Sequence, residues 1–136
     1  LQTVNEKKKI LLIDDSEFHL SIANNMLKTE YTVITTKSGK GGLEHLLKGL
    51  VPDIILLDII MPDMDGWETY HKIRGISILQ DVPIIFLTSS NETKDIEYAH
   101  KIGAADYIMK PYEKNNLLKR VESIIEKNSK KKNESK

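Results

Sequence analysis

Residues 53–66 read DIILLDIIMPDMDG. Four consecutive apolar residues, Ile54 to Leu57, run into a carboxylate, Asp58, and the chain then turns through Pro62 and two further aspartates to Gly66. An unbroken apolar run of this length, closed by turn residues, is the pattern of a strand covered on both faces. Burying a charge beside such a strand is costly. Asp58 therefore reads as a group kept for chemistry rather than for packing.

Four more runs repeat the pattern on either side: ILLI (10–13), YTVIT (31–35), VPIIFL (82–87) and ADYIM (105–109). The segments between and after them, at 16–28, 38–48, 66–75, 91–102 and 113–127, carry helical periodicity. It is clearest in the last, where Leu117, Val121, Ile124 and Ile125 share one helix face. Ser16 and Asn91 are the expected N-caps of the first and fourth helices. Gly103 is the expected stop of the fourth. Strands alternating with helices in one chain of 136 residues give an α/β fold, a doubly wound sheet in a three-layer α/β/α domain.

Composition narrows the function. Hydrophobic residues make up 40% and charged residues 29%, the mix of an ordinary globular domain. No apolar run approaches the ~18 residues of a membrane span, and no signal-peptide pattern is present. With no cysteine, disulfides and thiolate metal sites are excluded, which fits a reducing, cytoplasmic setting. The formal charge of 0 hides an asymmetry: residues 1–9 and 127–136 hold eight of the 20 basic residues and two of the 20 acidic ones. The remaining segment, 10–126, has 12 basic and 18 acidic residues, a net of −6, which argues against a nucleic-acid-binding face. Residues 1–8 read as a polar extension, 9–126 as the domain, and the tail KNSKKKNESK (127–136), without an apolar residue, as disordered. A start at Leu1 rather than Met fits a segment excised from a longer protein.

In open parallel sheets chemistry collects beyond the carboxyl ends of the strands. Those ends carry Asp14 and Asp15, Asp58, Thr88 and Lys110, with gaps of 44, 30 and 22 residues between Asp14, Asp58, Thr88 and Lys110, each a whole number of crossovers. Three carboxylates in a small volume repel one another unless a cation relieves them, and an all-oxygen donor set suits Mg²⁺. A lysine and a hydroxyl beside them complete the parts needed for phosphoryl transfer to a carboxylate, with Asp58 as nucleophile and Asp14 and Asp15 as metal ligands.

The set IDDS (13–16), DIIMPDMDG (58–66), FLTS (86–89) and YIMKPY (107–112) resembles the receiver domain of bacterial response regulators, the CheY-like fold of two-component signalling, over about residues 8–126. The resemblance implies a five-stranded parallel sheet of flavodoxin-like strand order 2-1-3-4-5. It implies that Asp58 takes a phosphoryl group from a phosphohistidine on a histidine kinase or histidine phosphotransfer domain. Mg²⁺ would be held mainly by Asp15, with Asp14 ligating through water or helping to position the ion, and by Asp58 and the backbone carbonyl of Ile60. Lys110 and Thr88 would bind the phosphoryl oxygens, Thr88 and Tyr107 would form the switch, and Pro111 would follow a cis peptide bond. An output partner or a second copy would dock on the fourth helix, fifth strand and fifth helix (about 93–101 and 105–126). The chain would act as a signalling phosphoacceptor that assists its own phosphorylation and slow dephosphorylation. No direct contact with nucleic acid or membrane is implied.

Other features read as structural. Asp63 and Asp65 are a turn residue and an N-cap, and Trp67 packs at the start of the third helix. His19, His45, His71 and His100 lack ligand spacing and are assigned no chemistry. SGKGG (38–42) lacks the GxxxxGK[ST] spacing of a phosphate loop and is expected to be a loose helix start, its adjacent glycines costing about 1 kcal/mol each relative to alanine. Ile60 and Ser90, two residues after Asp58 and Thr88, are neither acids nor amides, so slow self-hydrolysis is expected. Three other readings share features with this one. DMDGW (63–67) resembles the motif of haloacid-dehalogenase-type phosphatases, but there the nucleophile follows the first strand. A flavodoxin-like electron carrier lacks support because Asp14 and Asp15 would repel a flavin phosphate. The last is a phosphorylation-independent interaction module of the same fold.

Overall fold

Each apolar run forms a strand, and each is joined to the next by a helical crossover, so all five run parallel. The structure, a computed structural model, describes residues 6–134. In chain order the elements are β1 (Lys9–Ile13), α1 (Glu17–Leu27), β2 (Thr32–Thr36), α2 (Gly39–Leu47), β3 (Ile54–Leu57), α3 (Gly66–Arg74), β4 (Ile84–Thr88), α4 (Thr93–Lys101), β5 (Asp106–Met109) and α5 (Lys114–Glu134). A short 3-10 turn, Ser77–Leu79, precedes β4. The sheet order is β2-β1-β3-β4-β5, the expected 2-1-3-4-5.

Alternation along the strands divides the core in two. Ile10, Leu12, Ile54 and Leu56 face α1 and α5, where they meet Leu20, Leu27, Leu117 and Val121. Leu11, Ile13, Ile55 and Leu57 face the other way, onto Leu46 of α2, Tyr70 and Ile73 of α3 and Ala99 of α4. Burying each of these side chains contributes roughly 1.5–3 kcal/mol. Both faces of β3 are thus sealed, and Asp58 follows at its end.

Local chemistry sets the helix starts. Ser16 caps α1 by accepting the His19 N–H, and Asp65 caps α3 by accepting the Glu68 N–H. Ser38 caps α2 by accepting the Gly41 N–H, so SGKGG is a firm helix start and not a loose one. The glycines have a packing reason, since a Cβ on Gly42 would lie 2.5 Å from Ile13 Cδ1. The expected Asn91 cap is corrected. The N-cap of α4 is Glu92, with no side-chain cap bond of its own, and the Ser90 hydroxyl accepts the Glu92 N–H instead. Gly103, at φ +91, ends α4 as expected.

The disordered tail is also corrected where the structure describes it. α5 continues to Glu134, well past the expected end at residue 127. No glycine or proline interrupts 114–134, lysine and glutamate are good helix formers, and extending a formed helix is far cheaper than nucleating one. Lysines in the last turn also suit the helix dipole. The rest of the tail, residues 135–136, and most of the N-terminal extension, residues 1–5, lie outside the described residues. Among those described, no helix is long and apolar enough to cross a membrane.

Candidate functional site

Pairing register brings the strand-end residues together. Ile13 of β1 lies beside Leu57 of β3, so the residues that follow them, Asp14 and Asp58, are neighbours. The Asp58 N–H donates to the Ile13 carbonyl at 2.9 Å. On the other flank Thr88 of β4 pairs with Met109 of β5, and the Lys110 N–H donates to the Thr88 carbonyl at 2.8 Å. All five predicted residues therefore meet at one edge. Asp14, Asp15 and Asp58 each offer a carboxylate oxygen within 4.8 Å of the others.

Asp58 and Asp14 are buried, Thr88 is fully enclosed, and Asp15 is exposed. The Asp58 carboxylate accepts the Ile59 N–H at 2.8 Å. Gly66 is required behind it, because a Cβ there would overlap the Asp58 carbonyl oxygen and lie 2.7 Å from Ile59 Cα. Burial pushes the Asp58 carboxyl above its ordinary range, and the nearby Asp14 pushes the same way. The Lys110 ammonium, a hydrogen bond from Thr88 and the Ile59 N–H oppose the rise without cancelling it.

Lys110 sits among these acids with its side chain only 8% exposed. Its ammonium lies 2.5 Å from Asp14 Oδ2 and 3.4 Å from Asp58 Oδ2. Its third partner, His19 Nδ1 at 3.0 Å, is a residue the sequence reading assigned no chemistry. The available signal was position: His19 lies in the first turn of the helix that follows the acidic pair. The Lys110–Pro111 peptide bond is cis, as the resemblance implies. Beside it, burial and the Asp14 charge push the Tyr112 hydroxyl up to about 12.

The β4–α4 loop is tied from three sides. The Ser90 N–H donates to Thr88 Oγ1 at 3.4 Å, the Ser90 hydroxyl donates to Asp95 Oδ2 at 2.5 Å, and the Tyr107 hydroxyl donates to the Ser90 carbonyl at 2.8 Å. Thr88 and Tyr107 are thus linked through Ser90, a connection the sequence did not reveal. Ile60, two residues after Asp58, is 66% exposed. Asp63 is a turn residue at φ +67 and Asp65 a cap, both as expected. Trp67 packs on Phe86 and Tyr98, with ring centroids 4.7 and 4.8 Å apart.

Chemically, the edge offers a buried carboxylate flanked by two more, a hydroxyl and an ammonium. Hard oxygen donors so grouped can hold a divalent cation. Among the described residues no buried side-chain polar atom is left without a hydrogen-bond partner.

Comparison with known proteins gives the family. The sequence model of the response regulator receiver domain matches residues 10–122. The response regulator SaeR of Staphylococcus epidermidis is 34% identical over 122 residues, which cover 89% of this chain and 52% of that protein. A probable cyclic di-GMP phosphodiesterase of Vibrio cholerae is 35% identical over 102 residues, 75% of this chain and 23% of its own. The chain spans about half or less of the length of these curated relatives. Among solved structures, a CheY-like response regulator receiver domain protein from Methanospirillum hungatei superposes with a TM-score of 0.84 at 26% identity, covering 93% of this chain and 99% of that one. With this fold, this edge and a family match across most of its length, the chain belongs to the response regulator receiver domain family of two-component signalling.

Proposed function

We propose that the chain is a phosphoacceptor: Asp58 takes a phosphoryl group from a phosphohistidine on a histidine kinase or histidine phosphotransfer domain, and the acquired charge resets an output surface. The observation that carries this is the buried Asp58 carboxylate, with Asp14 and Asp15 within 4.8 Å and the Lys110 ammonium at 3.4 Å. An Asp58 oxygen attacks phosphorus, the P–N bond to the donor imidazole breaks, and the electron pair stays on that nitrogen. Burial of Asp58 keeps water from competing at the nucleophile. Lys110 supplies a fixed positive charge to the transferring group, and Thr88 a hydroxyl.

Asp14, Asp15, Asp58 and the Ile60 carbonyl are the groups that would hold Mg²⁺. Bound there, the ion would offset negative charge on the phosphoryl oxygens. A phosphoryl group adds ~2 negative charges and three acceptor oxygens, which attract Lys110 and Thr88. A shift of Thr88 passes to Ser90, and from there to Asp95 on α4 and Tyr107 on β5. The surface reset in this way is α4–β5–α5, where Arg120 already ties α5 to Asp106 of β5 through two bonds of 2.7 Å. An output domain or a second copy would dock there. The chain acts in the cytoplasm as a signalling partner that assists its own phosphorylation and slow dephosphorylation.

The test is intact mass after incubation with Mg²⁺ and acetyl phosphate, with Asp58→Asn alongside. One Mg²⁺-dependent phosphoryl group on wild type and none on the variant is expected. No adduct, together with no binding of beryllofluoride, would overturn the reading.

A further inference from the structure

Among the described residues Lys110 is the cation inside the acidic edge, and an ammonium donates three hydrogen bonds and accepts none. Two of its acceptors, Asp14 and Asp58, are carboxylates with other work in the proposed chemistry. The third is His19 Nδ1 at 3.0 Å. Because the ammonium can only donate, Nδ1 is the acceptor in this contact, and the same nitrogen lies 3.8 Å from Asp14 Oδ2. The backbone at His19 is fixed where its N–H donates to the Ser16 cap at 3.2 Å, and the Phe18 ring lies beside the imidazole with centroids 6.0 Å apart. His19 lines a groove of about 300 Å³ between α1 and the β5–α5 loop, with Lys110 at the groove's inner wall.

We propose that His19 is a positioning residue for Lys110. It supplies a nitrogen acceptor that aims the ammonium at Asp58 without adding another negative charge. A buried N–H with no acceptor costs about 1–3 kcal/mol, so without His19 the ammonium turns to another partner. The acceptor nearest at hand is Asp14, already at 2.5 Å. Lys110 then leans away from Asp58, where the phosphoryl group arrives. The inference rests on the phosphoacceptor reading and names a residue that this reading does not use.

Two substitutions separate the acceptor from the bulk of the ring. In His19→Asn the side-chain oxygen occupies the place of Nδ1, while His19→Leu puts a methyl group there. With saturating acetyl phosphate and Mg²⁺, His19→Leu should lower the maximal phosphorylation rate about tenfold, and His19→Asn should recover it to within about twofold of wild type. Half-saturating acetyl phosphate and thermal midpoint should move little in either. A wild-type rate in His19→Leu, or an equal loss in both variants, would overturn the proposal. If wild type itself takes no phosphoryl group, the phosphoacceptor reading fails and His19 is judged from the Lys110 ammonium alone. Its ¹⁵Nζ resonance, protected from solvent exchange, should persist in His19→Asn and be lost in His19→Leu. Equal protection in both variants would overturn the proposal by that route.

Discussion

Asp58 carries the cost of its position. Burial, reinforced by Asp14, holds its carboxyl above the ordinary range, so the folded chain binds that proton more tightly than the unfolded chain does. Stability therefore falls as pH rises from the unfolded pKa to the raised folded one, and the penalty is fully present above it. Asp58→Asn removes this penalty. Without Mg²⁺ the variant should melt above wild type at pH 7. The difference should close below about pH 4, where the carboxyl is protonated in both states. Scanning calorimetry at the two pH values checks this, and a lower midpoint for the variant at pH 7 would contradict it. Under the proposed chemistry, the residues two after Asp58 and two after Thr88 would set the lifetime of a phosphoryl group on Asp58. The Ser90 hydroxyl is committed to Asp95, and Ile60 offers no polar group, so neither orients an attacking water. Intact mass followed after removal of the donor should show decay over minutes or longer, and complete loss within seconds would refute it. Asp14, Asp15, Asp58, Thr88 and Lys110 were legible in the sequence because a strand end fixes where a residue lies. His19 and the Ser90–Asp95 bond were not, because the rotation of a helix and the path of a loop are set by packing between distant segments.

At the scale of elements, the loops do more than connect. Gly66 opens α3 directly against the backbone of Asp58 and Ile59. Gly66→Ala would have to push β3's end and α3's start apart, which should cost about 2 kcal/mol or more. Urea unfolding measures that cost, and phosphoryl uptake should fall with it because Asp58 moves; a neutral substitution would mean the close approach is not needed. The β4–α4 loop offers a similar test. Ser90→Ala removes both the bond to Asp95 and the acceptor for the Glu92 N–H, a loss of about 1 kcal/mol at the start of α4. Phosphoryl uptake should survive, since Ser90 does not touch Asp58, while amide exchange in α4's first turn should quicken. The strands and most helices lay within a residue or two of their expected bounds because apolar runs and caps are local signals. The end of α5 was misread for the opposite reason. Its last turns bury almost nothing, and composition alone could not distinguish a polar helix continued from a core-anchored one from a polar coil.

For the whole molecule, charge is the organising quantity. Segment 10–126 carries a net of −6, and three of its acids meet at one edge, two of them paired with the Lys110 ammonium. Divalent cation binding at that edge should stabilise the folded chain by mass action, about 2.7 kcal/mol when the cation stands at one hundred times its dissociation constant. In thermal unfolding that corresponds to a rise on the order of 8 °C for wild type. Asp58→Asn, with one donor made neutral, should rise less. Lys110→Met should behave in the opposite sense. Lys110 pairs with Asp14 at 2.5 Å, so an incoming cation must compete with the ammonium for that carboxylate and bind against its charge. Removing the ammonium should tighten Mg²⁺ binding while abolishing the gain in phosphorylation rate that the fixed charge supplies. A variant that binds Mg²⁺ more tightly yet phosphorylates more slowly would separate the two duties of the acidic edge. Weaker Mg²⁺ binding in Lys110→Met would instead mean that the lysine organises the carboxylates for the metal rather than competing with it.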